Sequence, residues 1–257
     1  MFGGARGRSC TIEVCISPDH LFDCLLILPI ELASIIQDAL PSHVRTVSII
    51  EEFNDQLAMA LRRDTNSPMV DTSPSASTML VKAFASRSRD FEQISISYMI
   101  DAQQFFKSCQ LSYTWHRLQS LTLTSSILAR KAPQKEIFAL LYDASLAALN
   151  MPQLETMVLW NSTDGEACAV IYQTNKVSRH ATLTWRGTWD LRLSHEVVES
   201  WQEVASHSCH LQIKNERVNG FINSHGDAIH HLRLPAAVIH PVSLWKIRQE
   251  GMMQRMA

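Results

Sequence analysis

The sequence predicts an α/β fold, a short and irregular leucine-rich-repeat-like solenoid that ends in a C-terminal α+β cap. Three observations carry that expectation. A strand phrase recurs, with apolar residues separated by two variable positions and then one: Val44-x-x-Val47-x-Ile49, Phe91-x-x-Ile94-x-Ile96, Leu118-x-x-Leu121-x-Leu123 and Leu154-x-x-Met157-x-Leu159. Helix-like stretches follow most copies, so each unit would supply one strand and one return segment. After Trp160 the pattern changes to long alternating runs, which mark a separate region.

Taken in order, residues 1–39 read as an N-terminal extension or a degenerate repeat, 40–166 as the irregular array, 167–245 as the α+β cap and 246–257 as a charged, Met-rich tail. Strands are expected at about Val44–Ile50, Phe91–Ser97, Leu118–Thr124 and Glu155–Trp160. Their central residues, Val47, Ile94, Leu121 and Met157, lie 47, 27 and 36 residues apart. A regular repeat of this kind runs about 20–29 residues, so the array requires insertions. The longest gap contains Arg63–Ser77 (RDTNSPMVDTSPSAS), whose Ser, Thr, Asp and Pro content and lack of periodicity predict an exposed loop.

The helices follow from periodicity. Ile137, Leu140, Leu141, Ala144 and Ala148 make the apolar stripe of a helix over Lys135–Leu149, with Pro133 just upstream to favour initiation. Glu51–Arg62 and Ser77–Arg87 are weaker candidates. Thr182–Leu193 (TLTWRGTWDLRL) alternates over twelve positions, which predicts a long strand with Leu183, Trp185, Gly187, Trp189, Leu191 and Leu193 on its buried face and Gly187 as a place for a bend. Ser194 then caps a helix from His195 with the stripe Val197, Val198, Trp201, Val204 and Ala205. Ala167–Gln173 and His210–Lys214 add further strands to the cap.

Composition bounds the function. A chain of 257 residues with 46% hydrophobic and 19% charged residues is long enough for a sizeable core. Its formal net charge of −2 gives no global electrostatic basis for binding nucleic acid or an anionic membrane. The most apolar run, Leu21–Ile30, carries Asp23 and Pro29 and is far shorter than the roughly 20 residues a membrane-spanning helix needs. Six scattered cysteines without a C-x-x-C pair point to reduced thiols, hence a cytoplasmic or nuclear protein.

Several phrases in order resemble the C-terminal part of fungal F-box-associated proteins with a leucine-rich-repeat-like middle and a C-terminal domain of unknown function. They are Leu40–Asn54 (LPSHVRTVSIIEEFN), Met99–Phe106 (MIDAQQFF), Met151–Asn161 (MPQLETMVLWN), Leu183–Glu203 (LTWRGTWDLRLSHEVVESWQE), Ser224–Leu234 (SHGDAIHHLRL) and Pro241–Glu250 (PVSLWKIRQE). The resemblance implies an interaction scaffold. It departs from the family at its start. Leu28-Pro29-Ile30-Glu31-Leu32 resembles the opening of an F-box, but the first repeat strand at Val44 follows too soon for the helical domain. A truncated repeat fits that segment better.

Chemistry-bearing motifs are sparse. Eight of the eleven histidines lie between His180 and His240, and His225, Asp227 and His230 are the candidate metal ligands if a turn at Gly226 gathers them. Their spacing matches no standard site, and the plainer expectation is a hydrogen-bonded turn over Ser224–Ala228 with the His230–His231 pair on a strand edge. Neither a Gly-x-Ser-x-Gly elbow nor a Gly-x-Gly-x-x-Gly phrase is present, so the sequence implies no cofactor. Variable positions on the repeat strands, Arg45, Glu92, Gln119 and Glu155, are the partner-binding candidates, with Arg186 and Arg192 on the polar face of the cap strand. The expected function is a non-enzymatic protein-interaction scaffold that lacks a complete F-box. The alternative is a small enzyme or accessory protein of fungal secondary metabolism with a C-terminal pocket lined by Trp185, Trp189 and histidines.

Overall fold

The computed structural model describes residues 10–16, 28–51, 74–110, 112–163, 165–175, 177, 179–206, 210–235 and 238. Eight strands form one open sheet in strict sequence order. They are β1 (Cys10–Ile16), β2 (Val44–Glu51), β3 (Gln93–Asp101), β4 (Ser120–Thr124), β5 (Thr156–Thr163), β6 (Glu166–Asn175), β7 (His180–Gly187) and β8 (His210–Arg217). Strands β1 to β5 run parallel, β6 is antiparallel to both β5 and β7, and β8 is again parallel to β7.

The recurring phrase sets the register of the parallel half. Val47, Ile94, Leu121 and Met157 lie side by side, and so do Ile49, Ile96, Leu123 and Leu159. These rows do not stop at Trp160. Met157 pairs with Tyr172, Tyr172 with Leu183, and Leu159 with Val170 and then Trp185 across the antiparallel strands. The expected leucine-rich-repeat-like solenoid with an appended cap is therefore corrected to one continuous mixed sheet. A solenoid repeats one strand direction, whereas here β5 and β6 pair antiparallel from Thr163 with Glu166 onward. Gly165 supplies the left-handed conformation (φ 75°) that so short a connection favours.

Among the described residues, five helices cover the first face of the sheet: α1 (Leu28–Ser34), α2 (Pro74–Arg87), α3 (Ala102–Ser108), α4 (Gln134–Leu149) and α5 (His195–Ser206). Helix α1 runs on into a π-helical turn, Ile35–Ala39, and Ala33 and Ile36 from this pair join the core. The F-box-like phrase thus forms a short helix that packs against α2. Helix α4 buries Ile137, Leu140, Leu141, Ala144 and Ala148, the stripe its periodicity predicts. In α5, Val197, Trp201 and Ala205 are buried, and the Val197 N–H donates to the Ser194 hydroxyl at 3.4 Å. Each fully buried Leu or Ile in such a layer contributes about 1.5–3 kcal/mol.

Helix α6 (His225–Leu232) packs on the second face, with Ala228, Ile229 and Leu232 against Trp160, Ala169 and Ile171. Two expectations in this region are corrected. The strand expected over Thr182–Leu193 ends at Gly187, where a Cβ would meet the Cys168 Cβ at 3.0 Å and the carbonyls of Ala167 and Trp189 at 3.2 Å, so only glycine fits the close approach of the chain there. Trp189 still returns to the core, where its carbonyl accepts from the Trp185 indole at 2.9 Å. Ser224–Ala228 is the start of α6 rather than an isolated turn, so His230 and His231 lie on a helix and not on a strand edge.

Residues 74–77 of the expected loop open α2, and residues 63–73 lie outside the described residues. So do residues 52–62 of the helix candidate after Glu51, the tail 246–257, Cys24 and Cys209. Among the described residues no helix is long and apolar enough to cross a membrane.

Candidate functional site

Polar side chains gather at both ends of the parallel strands. At the N-terminal rim, the four partner candidates of the strand phrase form one ladder. The Glu92 N–H donates to the Arg45 carbonyl (2.8 Å), Gln119 to Glu92 (2.7 Å), Glu155 to Gln119 (2.8 Å) and Thr174 to Glu155 (2.9 Å). Arg45 is partly occupied, since its Nη1 donates to the carbonyls of Ser42 and Asp90 and its Nε lies 3.7 Å from Glu92. One residue further along the strands, Thr46, Gln93, Ser120, Thr156, Gln173, Thr182 and Gln212 pair in a single row across seven strands. Every member of that row is at least partly exposed.

Of the other two partner candidates, Arg192 is exposed and Arg186 is engaged within the fold. The Arg186 Nε donates to the Glu216 carboxylate at 2.7 Å, and its Nη1 donates to the carbonyls of Leu232 (2.6 Å) and Arg233 (2.9 Å). It joins β7 to β8 and supplies positive charge where α6 ends.

The metal candidates do not converge. His225 opens α6. Asp227 closes its cap, with its N–H donating to the Ser224 hydroxyl (3.0 Å) and its carboxylate accepting from the Asn223 N–H (3.3 Å). His230 is exposed at the far end of the helix. Among the described residues no group of three or more His, Cys, Asp or Glu side chains is arranged to hold a metal ion. The structure also separates the expected His/Trp pocket, because Trp185 and Trp189 belong to the first-face core while His225 lies on the second face against Tyr98.

The C-terminal ends of the strands hold a group that no sequence motif marks. Between Ile96 and Asp101 strand β3 bulges away from β4, and Tyr98 adopts φ 66°, a left-handed conformation that disfavours a bulky residue. Its N–H donates to Thr124 Oγ1 at 2.7 Å. The bulge carries the phenol across β4 to Ser162 on β5, where the two hydroxyls lie 2.6 Å apart. Ser162 Oγ is in turn 2.7 Å from His225 Nδ1. The Tyr98 ring lies over the His225 ring at 4.1 Å between centroids and meets the Trp160 ring edge-on at 5.3 Å.

Next to this group, Asp101 caps α3 by accepting from the Gln103 N–H at 2.8 Å. Its other oxygen accepts from the N–H and the hydroxyl of Ser126, both at 2.9 Å. An Asp before a helix is a readable cap signal; the Tyr98–Ser162–His225 contact has no signal in residue spacing. At the same end of β2, burial pushes the Glu51 carboxyl up to about 7. Burial likewise pushes the Cys109 thiol up to about 12 and the Cys168 thiol higher still, so neither is a ready nucleophile.

Comparison with known proteins finds one relationship. A family model described as a family of unknown function (DUF6546) matches residues 39–240, most of the chain. No curated protein and no solved structure matches it.

Proposed function

We propose that this chain, which belongs to the family of unknown function DUF6546, is a protein-interaction scaffold that receives its partner along the N-terminal rim of the sheet. The observation that carries this reading is the open polar row. Parallel sheets are ordinarily covered on both faces, yet Thr46, Gln93, Ser120, Thr156, Gln173, Thr182 and Gln212 stay at least partly exposed across seven strands. Beside them Glu92 and Glu155 add carboxylates. Hydroxyls, amides and carboxylates in a line suit an extended protein segment with backbone N–H groups and basic side chains. The resemblance to the substrate-recognition part of fungal F-box proteins points the same way. So does the expectation of an intracellular setting, cytoplasmic or nuclear.

The test is partner capture from the native cell with three versions of the full chain. One is unchanged, one carries Glu92→Ala, Gln119→Ala and Glu155→Ala, and one carries Lys135→Ala on α4 as a control. A partner that is retained by the control and lost with the rim variant, at unchanged thermal stability, supports the scaffold. Equal capture by all three refutes the rim. An enzymatic reading rests on a different observation at the opposite end of the strands, the Tyr98–Ser162–His225 contact.

A further inference from the structure

From the Tyr98–Ser162–His225 contact we infer that Ser162 is a reactive serine that accepts an acyl group from a small carboxylic ester. The inference is independent of the rim, because it uses the opposite ends of the same strands.

Three observations converge on Ser162. First, a serine hydroxyl and a histidine nitrogen lie within hydrogen-bond distance, 2.7 Å, which is the nucleophile–base geometry of covalent catalysis. Second, the group sits at the C-terminal ends of parallel strands in an open α/β sheet, where such folds place ligands. A strained bulge holds Tyr98 there, as expected where a backbone outlier serves a site. Third, a buried donor two residues before Ser162 on β5 lacks a partner among the described residues. The other three fully buried tryptophans all donate their indole N–H: Trp115 to Ser88 Oγ, Trp185 to the Trp189 carbonyl and Trp201 to the Leu141 carbonyl. Trp160 is equally buried and touches the Tyr98 ring, yet its Nε1 has no acceptor among the described residues. A buried N–H without a partner costs about 1–3 kcal/mol, a cost that marks this end of β5 as one where a ligand's acceptor atom is favoured.

The chemistry balances with these groups and water. With neutral His225 carrying its proton on Nε2, the Ser162 O–H donates to Nδ1 and the Tyr98 O–H donates to Ser162 Oγ. The Oγ attacks the ester carbonyl carbon, its proton passes to Nδ1, and the carbonyl electron pair moves onto oxygen. Collapse of that intermediate breaks the bond to the alcohol oxygen, which leaves with the proton from Nδ1. Water, deprotonated at the same nitrogen, then releases the carboxylic acid and restores the serine. The Tyr98 ring, in edge-on contact with Trp160, gives the group apolar surroundings that favour a short apolar acyl group over a charged one.

The experiment is labelling of the full chain with a fluorophosphonate probe, with the adduct located by peptide mass spectrometry. The expected result is one adduct on Ser162, formed about 100-fold more slowly in His225→Gln, since a general base typically contributes 10²–10⁴-fold. Tyr98→Phe should slow labelling by a smaller factor, and the rim variant should label like the unchanged chain. Absence of a Ser162 adduct in folded protein, or an unchanged rate in a folded His225→Gln variant, overturns the inference. Ser162→Ala should take no label, and if that variant fails to fold the His225→Gln rate still decides.

Discussion

The two faces of the sheet obey different rules. On the first face the rows are Val, Ile, Leu and Met, and five helices seal them into one core. On the second face the same strands present Thr46, Ser48, Ser95, Ser97, Thr122 and Thr124, and apolar packing is centred on β5 and β6 beneath α6. Ser95, Ser97 and Thr122 are buried there with hydroxyls that lack partners among the described residues. The difference teaches that stability is concentrated on one face, which leaves the other free to carry polar chemistry. Alternation along each strand makes this possible, because successive side chains point to opposite faces.

Substitutions can break or sharpen that contrast. Leu121→Ala empties a fully buried first-face site in the middle of the sheet and should destabilise the protein by about 2–5 kcal/mol, read from denaturant unfolding. Arg186→Ala should cost about 1.5–3 kcal/mol in the same assay, because it strips Glu216 and the end of α6 of charged hydrogen bonds. Thr122→Val, next to Leu121 but on the second face, should instead stabilise by about 1 kcal/mol, since it removes a buried hydroxyl that has no partner. A loss as large as that of Leu121→Ala would end the distinction between the faces.

Glu51 gives a pH-dependent test. Its folded carboxyl is raised from 4.5 to about 7, so the folded chain holds that proton more tightly than the unfolded one. Stability should therefore be greatest below the unfolded value and decline as pH rises through the folded value. Glu51→Gln should flatten that decline in melting temperature between about pH 5 and pH 7. The smallest effect is expected in the open row, where Gln93→Ala should change stability by less than about 0.5 kcal/mol.

Much of this architecture is legible before any coordinates. The phrase Val47-x-Ile49, Ile94-x-Ile96, Leu121-x-Leu123, Met157-x-Leu159 encodes both the strands and their mutual register, because one parity of residues must meet one core. The α4 stripe and the Ser194 cap are local signals and survive for that reason. The solenoid expectation fails on one dipeptide. Asp164-Gly165 between two apolar runs is a strong hairpin signal, and weighing it would have carried the sheet past Trp160. The Arg186 network depends on where α6 ends, which no strand pattern reveals. The Ser162 group is harder still, since Tyr98 reaches it only through a bulge and His225 only because α6 crosses to the second face.

The order of the strands also says something about time. Each strand lies beside the one made just before it, so a chain emerging from a ribosome can lengthen its sheet one edge at a time. Contacts between near neighbours in sequence form fastest. Ser162 meets Tyr98 and His225 across 64 and 63 residues respectively. Its partner on α6 is among the last described segments to be synthesised, so the hydroxyl gains its base only after the scaffold around it exists.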